Sequence, residues 1–271
     1  MAIADRRRVQ RTSILVLLIA VLGSADVAFA DRLAGAHEVA HGGYYGPRFA
    51  PDGRQLLVTG VRLRGLYLAP LSGGAVRRLS DEEGAGVHAR FRPDGAIEYR
   101  AMRVGQRRDL IVGQDGAVRG VSALAAPVAQ AVDERIYVRA AAGAWREVGS
   151  GDRFFAPLVS PDGGKVAFQG LTTGIYIHDR SSGATVHVGP GTAPAWSPDG
   201  SRLVYEVTED DGHEIVASEL HLYDLASRRD RRLTVTEDRI ERRPGFSPDG
   251  QQIAFDDDTG RIWIARLEVE R

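Results

Sequence analysis

One word, repeated along the chain, limits its fold more than any other feature. Pro244-Gly245-Phe246-Ser247-Pro248-Asp249-Gly250 runs into the apolar stretch Ile253-Ala254-Phe255. The same word stands at Phe49-Ala50-Pro51-Asp52-Gly53, Phe91-Arg92-Pro93-Asp94-Gly95, Leu158-Val159-Ser160-Pro161-Asp162-Gly163 and Trp196-Ser197-Pro198-Asp199-Gly200. A recurring unit fixes architecture before local detail does. Proline presets φ for the second position of a type I turn, and glycine takes the left-handed conformation that closes a hairpin. Each Asp is explained by the turn it occupies rather than by metal or acid–base work.

After each turn comes a strand with apolar residues two apart: Leu56 and Val58, Ile97 and Tyr99, Val166 and Phe168, Leu203 and Tyr205, Ile253 and Phe255. The residue between is usually apolar too (Leu57, Ala167, Val204, Ala254), so both faces of the sheet are covered. A third strand follows at Leu66–Leu68, Leu110–Val112, Ile175–Ile177, Leu220–Leu222 and Ile262–Ile264. A more polar fourth follows at Val76–Leu79, Val118–Val121, Val186–Val188 and Arg231–Thr234. Four antiparallel strands per unit, each sheet covered by the next, is the blade of a β-propeller. The expected fold is all-β, with six four-stranded blades of about 40 residues each. The unit near 122–150 is degenerate: Pro127 to Val138 aligns with Pro194 to Tyr205, but the Pro-Asp-Gly word is gone and three strands are expected.

The chain has 271 residues, a formal net charge of −1 and no cysteine. Disulfides, cysteine-ligated zinc and a lipidated cysteine are therefore excluded. Without a clustered basic excess, a nucleic-acid partner is not expected. Residues 1–30 have the pattern of a secretory signal peptide: basic Arg6-Arg7-Arg8 and Arg11, an apolar core from Ile14 to Leu22, and Ala28-Phe29-Ala30 before Asp31. The apolar core is about half the ~20 residues that span a bilayer. The expectation is cleavage near Ala30, a periplasmic or secreted product, and one propeller domain over 31–271 with no membrane span.

His37-Glu38-Val39-Ala40-His41 matches H-E-x-x-H, which on a helix presents two zinc ligands and a general base. Here Gly42-Gly43 follows at once, and paired glycines oppose a helix. The last repeat, by contrast, lacks a fourth strand. Residues 36–41 are therefore expected to pair with the strand at 262–267 and close the ring, removing an exposed edge.

The run Phe/Trp-Ser-Pro-Asp-Gly, Ile-Ala-Phe, Leu220-His221-Leu222-Tyr223-Asp224 and Arg231-Arg232-Leu233-Thr234 resembles the WD-like repeat of the TolB family. The resemblance covers nearly all of 31–271 and implies an exported six-bladed propeller. TolB itself carries an α/β domain before its propeller, which is not expected here. Propellers of prolyl-oligopeptidase-like enzymes share the repeat, but no G-x-S-x-G elbow is present.

No residue set in the sequence calls for catalysis, a cofactor or a metal, so no catalytic, cofactor-binding or metal site is nominated. His178 and His187 fall on adjacent strands, where cross-strand pairing is expected, and His221 is expected to pack a strand. His88 and His213 share no motif spacing with the others. Glu209-Asp210-Asp211-Gly212 and Asp256-Asp257-Asp258-Thr259-Gly260 raise calcium but read as solvated hairpin loops. Arg228-Arg229-Asp230-Arg231-Arg232, like Arg77-Arg78, reads as a charged outer edge. The functional expectation is a monomeric, non-catalytic scaffold for a protein or peptide of the cell envelope. The alternative is an enzyme or a small-ligand or carbohydrate binder using the central channel.

Overall fold

The computed structural model describes residues 31–269, apart from 87–88, 93, 104–105, 122–127 and 141–142. The signal-peptide expectation and His88 lie outside the described residues. Six antiparallel sheets follow one another as blades. Blade 1 holds β2 (Tyr45–Phe49), β3 (Gln55–Thr59), β4 (Leu66–Pro70) and β5 (Arg77–Ser80). Blade 2 holds β6 (Arg90–Phe91), β7 (Ile97–Arg103), β8 (Gln106–Val112) and β9 (Val118–Val121). Blade 3 has three strands, β10 (Ala129–Val132), β11 (Arg135–Arg139) and β12 (Trp145–Val148). Blade 4 holds β13 (Phe154–Val159), β14 (Lys165–Gly170), β15 (Gly174–Asp179) and β16 (Thr185–Gly189). Blade 5 holds β17 (Thr192–Trp196), β18 (Arg202–Asp210), β19 (Ile215–Asp224) and β20 (Arg229–Arg232). Blade 6 holds β21 (Glu241–Phe246), β22 (Gln252–Asp257), β23 (Ile262–Glu268) and, from the other end of the chain, β1 (Arg32–Ala40).

The repeated word behaves as its chemistry requires. Gly53, Gly95, Gly163, Gly200 and Gly250 all have φ between 66 and 78°. Each donates its N–H to the carbonyl three residues back. Ser160, Ser197 and Ser247 donate their hydroxyls to Asp162, Asp199 and Asp249, whose carboxylates also accept the N–H two residues on. These bonds hold Asp162 and Asp249 below the usual carboxylate range and Asp199 down to about 2. The turn before Ile97 is one residue shorter, closing from Arg92 to Ala96 where its sisters close over five residues.

The core is layered between blades. Leu57, Leu66 and Leu68 of blade 1 pack on Ile97, Tyr99, Leu110 and Val112 of blade 2. Equivalent layers join blades 3 and 4, 4 and 5, 5 and 6, and 6 and 1. This is why apolar residues occupy both faces of each second strand. The first strands form the inner ring: β21 lies beside β2 on one side and β17 on the other.

The ring closes as the sequence predicts. β1 pairs antiparallel with β23, from Arg32 opposite Glu268 to Ala40 opposite Ile262. The strand starts at Arg32, earlier than the predicted 36, and Arg32 bonds Glu268 at 2.9 Å. One boundary differs more: β20 covers Arg229–Arg232, not 231–234. Asp224 Oδ1 accepts the Ser227 N–H at 2.8 Å in a tight turn, so the strand returns early, and Leu233 and Thr234 leave it to become buried.

Candidate functional site

Four first strands carry the same distortion. Gly46, Ala156, Ala193 and Arg243 have φ of 60, 51, 50 and 49°, and each precedes a proline (Pro47, Pro157, Pro194, Pro244). Each sits at a register shift against its second strand. A bulge turns the residue's N–H away from its own sheet, and the proline after it has no N–H to orphan.

In three blades the freed N–H is taken by a side chain of the preceding blade. Ala193 N–H donates to Gln169 Oε1 at 2.8 Å. Arg243 N–H donates to Glu206 Oε2 at 2.6 Å, and Gly46 N–H to Asp256 Oδ2 at 2.6 Å. Gln169, Glu206 and Asp256 follow Phe168, Tyr205 and Phe255 at one register of the repeat, and all three are buried. The result is a staple from blade 4 to 5, from 5 to 6 and across the closure from 6 to 1.

Two arginines complete the cluster. Arg242 donates from Nε and Nη2 to Glu206 Oε1 at 3.2 and 3.1 Å, and Thr192 donates to the same oxygen at 2.9 Å. Arg243 grips Asp256 with two parallel bonds, 2.8 Å from Nε and 2.5 Å from Nη2, with its guanidinium 5.2 Å from the Tyr45 ring centroid. Burial pushes Asp256 up to about 6, and Arg243 pulls against that shift. Apart from Asp256, read from sequence as part of a solvated loop, these residues escaped the sequence reading. The available signal was a polar residue recurring at one register of otherwise apolar second strands, together with a proline recurring in the first strands.

A second group lies at the end of blade 5. Thr236 donates its N–H to Glu219 Oε1 at 3.2 Å and its hydroxyl to Glu241 Oε1 at 2.7 Å. Oε2 of Glu219 and Oε2 of Glu241 are both buried with no partner among the described residues. Burial, then the nearby Glu219 charge, raises Glu241 to about 7, although the Thr236 bond opposes the shift. Thr236 also borders an open cavity of about 460 Å³ with Asp238, Arg239, Ile240 and Asp258.

The motifs singled out from sequence fall into structural roles. His37-Glu38-Val39-Ala40-His41 is strand and turn rather than helix, and His41 Nδ1 lies 3.0 Å from Glu38 Oε1. His178 and His187 are not cross-strand partners of each other: His178 stands opposite Thr185 and His187 opposite Tyr176. His221 stands opposite Tyr205, and both bond Asp230, at 2.9 and 2.6 Å. Asp210 and Asp211 cap their own turn, accepting from Gly212, His213 and Glu214. The expectation of a solvated loop at 256–258 is corrected. Asp256 and Asp257 are buried, the first in the Arg243 pair and the second under Thr259, Arg261 and Trp263. Both belong to the end of β22, where the sheet is covered by blade 1. Within the Arg-rich run, Arg231 pairs with Asp31 and Arg232 with Glu219. Among the described residues no three His, Asp or Glu side chains converge at metal-ligand spacing, and no helix is long and apolar enough to cross a membrane.

A groove of about 390 Å³ separates blades 3 and 4. It is lined by Val138, Arg146 and Val148 on one side and His178, Arg180 and Thr185 on the other. It opens where blade 3 has no fourth strand.

The model of the TolB beta propeller domain matches residues 146–269. A gluconolactonase from Xanthomonas campestris superposes with a TM-score of 0.57 at 11% identity, covering 88% of this chain and 95% of that one. An oligogalacturonate lyase from Vibrio parahaemolyticus superposes at 0.52 with 14% identity, covering 85% and 93%. A TolB-like protein from Agrobacterium tumefaciens is 18% identical over 80% of this chain and 70% of that one, with a TM-score of 0.35. At these identities the two enzymes share the fold alone with this chain.

Proposed function

We propose that this chain, a TolB-like six-bladed β-propeller, is an exported platform that binds a protein or peptide in the cell envelope without acting on it chemically. The observation that carries this reading is the use to which the inner-ring charges are put. Glu206, Asp256, Arg242 and Arg243 direct their bonds at each other and at the backbone of the next blade. A catalytic carboxylate needs an open valence toward substrate, whereas these groups hold blades together and make the ring rigid. Rigid rings of loops suit recognition, because little conformational freedom is lost on binding. The leader-like residues 1–30 support export.

A second reading has one specific observation in its favour. Glu219 and Glu241 both bond Thr236, each keeps one buried oxygen with no partner among the described residues, and Thr236 borders an open cavity. Paired carboxylates serve small-ligand and carbohydrate sites. Crosslinking and affinity capture of the tagged full chain in its native envelope separates the two. The platform reading expects one dominant protein partner, lost when surface loops or edges are altered. No partner, together with heat on titrating neutral oligosaccharides that disappears in Glu241→Gln, would replace it with the ligand reading.

A further inference from the structure

Among the described residues, five blades end in a fourth strand and blade 3 does not. Only residues 149–153 separate β12 from the first strand of blade 4, too few to turn and run back along the sheet. β12 bonds β11 on one side, and no described strand pairs with its other side. An open edge presents backbone N–H and C=O groups in strand geometry, ready for an added strand. Trp145, Arg146 and Glu147 are exposed along it.

The charge of the adjoining groove is one-sided. Glu147 is matched by Arg135 at 3.3 Å. Arg146 has no carboxylate partner among the described residues. Arg180 donates only to carbonyls, to Arg139 O at 3.1 and 2.7 Å and to Gly163 O at 2.5 Å, so its charge is not neutralised. His178 is held by Thr185 at 2.9 Å, and burial lowers its basicity, so it adds no positive charge at neutral pH. Two uncompensated cations therefore flank an unpaired strand edge. A second copy adding edge to edge would bring Arg146 toward its own counterpart. Residues 1–30 of the chain are basic and have the wrong sign.

We propose that β12 is a docking edge for an extended acidic segment of a partner protein, which supplies the missing fourth strand of blade 3 and sets its carboxylates against Arg146 and Arg180. The proposal rests on the platform reading and names its binding surface. Strand addition supplies backbone bonds, and the groove selects the charge.

The test uses the full chain and synthetic ten-residue peptides of alternating valine and glutamate, followed by fluorescence anisotropy. The acidic peptide binds, and its valine–lysine counterpart binds at least about tenfold more weakly. Methylating one alternate set of peptide amides abolishes binding and methylating the other set does not, because only one edge of the peptide faces β12. Arg146→Glu, at an exposed site without a partner, reverses the charge preference, and rising salt weakens the wild-type complex. No peptide binding, no charge preference, equal tolerance of both methylated sets, or an unaffected Arg146→Glu variant would each overturn the proposal. Photo-crosslinking groups at Trp145, on the open edge, and at Val216, exposed beside the cavity at Thr236, separate this from the wider reading in the native envelope. A partner trapped at 216 and not at 145 removes the docking edge and keeps the platform; no partner at either removes both.

Discussion

Asp256 and Gln169 stand at one register of the repeat and do the same geometric job with different chemistry. Gln169 accepts one neutral bond from the Ala193 N–H, whereas Asp256 accepts both the Gly46 N–H and the paired bonds of Arg243. Removing a neutral partner from a buried bond costs about 1–2 kcal/mol, but leaving a buried ionic partner unmatched costs about 3 kcal/mol or more. Urea unfolding should therefore rank Asp256→Ala and Glu206→Ala well below Gln169→Leu in stability. Equal losses in all three would mean the arginines do not depend on their carboxylates. Glu241 makes a pH prediction at the same scale. Its folded value of about 7 lies above the ordinary 4.5, so between those pH values the folded state binds the extra proton. Stability from this group is complete below about 4.5 and is lost as pH rises from there through about 7, by on the order of 3 kcal/mol. Glu241→Gln should flatten that decline and be more stable than wild type at pH 8, with no advantage at pH 4. Asp256, raised to about 6, has the same sign. Thermal melts across that range in both proteins check this.

At the scale of elements, β1 carries the closure. It covers the edge of β23, and its neighbourhood adds the Arg32–Glu268 and Asp31–Arg231 pairs. A chain lacking 31–40 should expose β23 and form dimers or larger species by edge pairing, seen by light scattering, with a lowered melting temperature. A monomer of unchanged stability would show that closure does not depend on this strand. The strand was legible because the last repeat was short by one element and Gly42-Gly43 ruled out a helix. The end of β20 was not, because Leu233 and Thr234 look like strand residues and are instead pulled into the layer between blades 5 and 6. The burial of Asp256 and Asp257 was hidden for a related reason: a run of three aspartates implies solvent unless the packing of the next blade is known.

For the whole molecule, apolar layers join blades 1 and 2 and run from blade 3 through 6 back to blade 1 among the described residues, with polar staples from blade 4 round to blade 1. The repeat made the ring predictable, since Pro-Asp-Gly turns and doubly apolar strands have few other solutions. The staples pair residues 24 to 210 positions apart, so no local pattern announces the pairing. Only the periodic recurrence of Gln169, Glu206 and Asp256, set against Ala193, Arg243 and Gly46, carries it. This is also why the sequence nominated no site, although a buried polar network lies at one register of its repeat.

The measurement that bears most directly on this account is native-state hydrogen exchange at the amides of Gly46, Ala193 and Arg243. If the buried charges serve to lock blade to blade, these three amides exchange as slowly as those of the second strands, despite lying outside their own ladders. Glu206→Ala then releases Arg243, and Asp256→Ala releases Gly46, without freeing Ala193. Fast exchange at all three amides in the wild-type protein would contradict the locked ring and with it the rigid platform built on it.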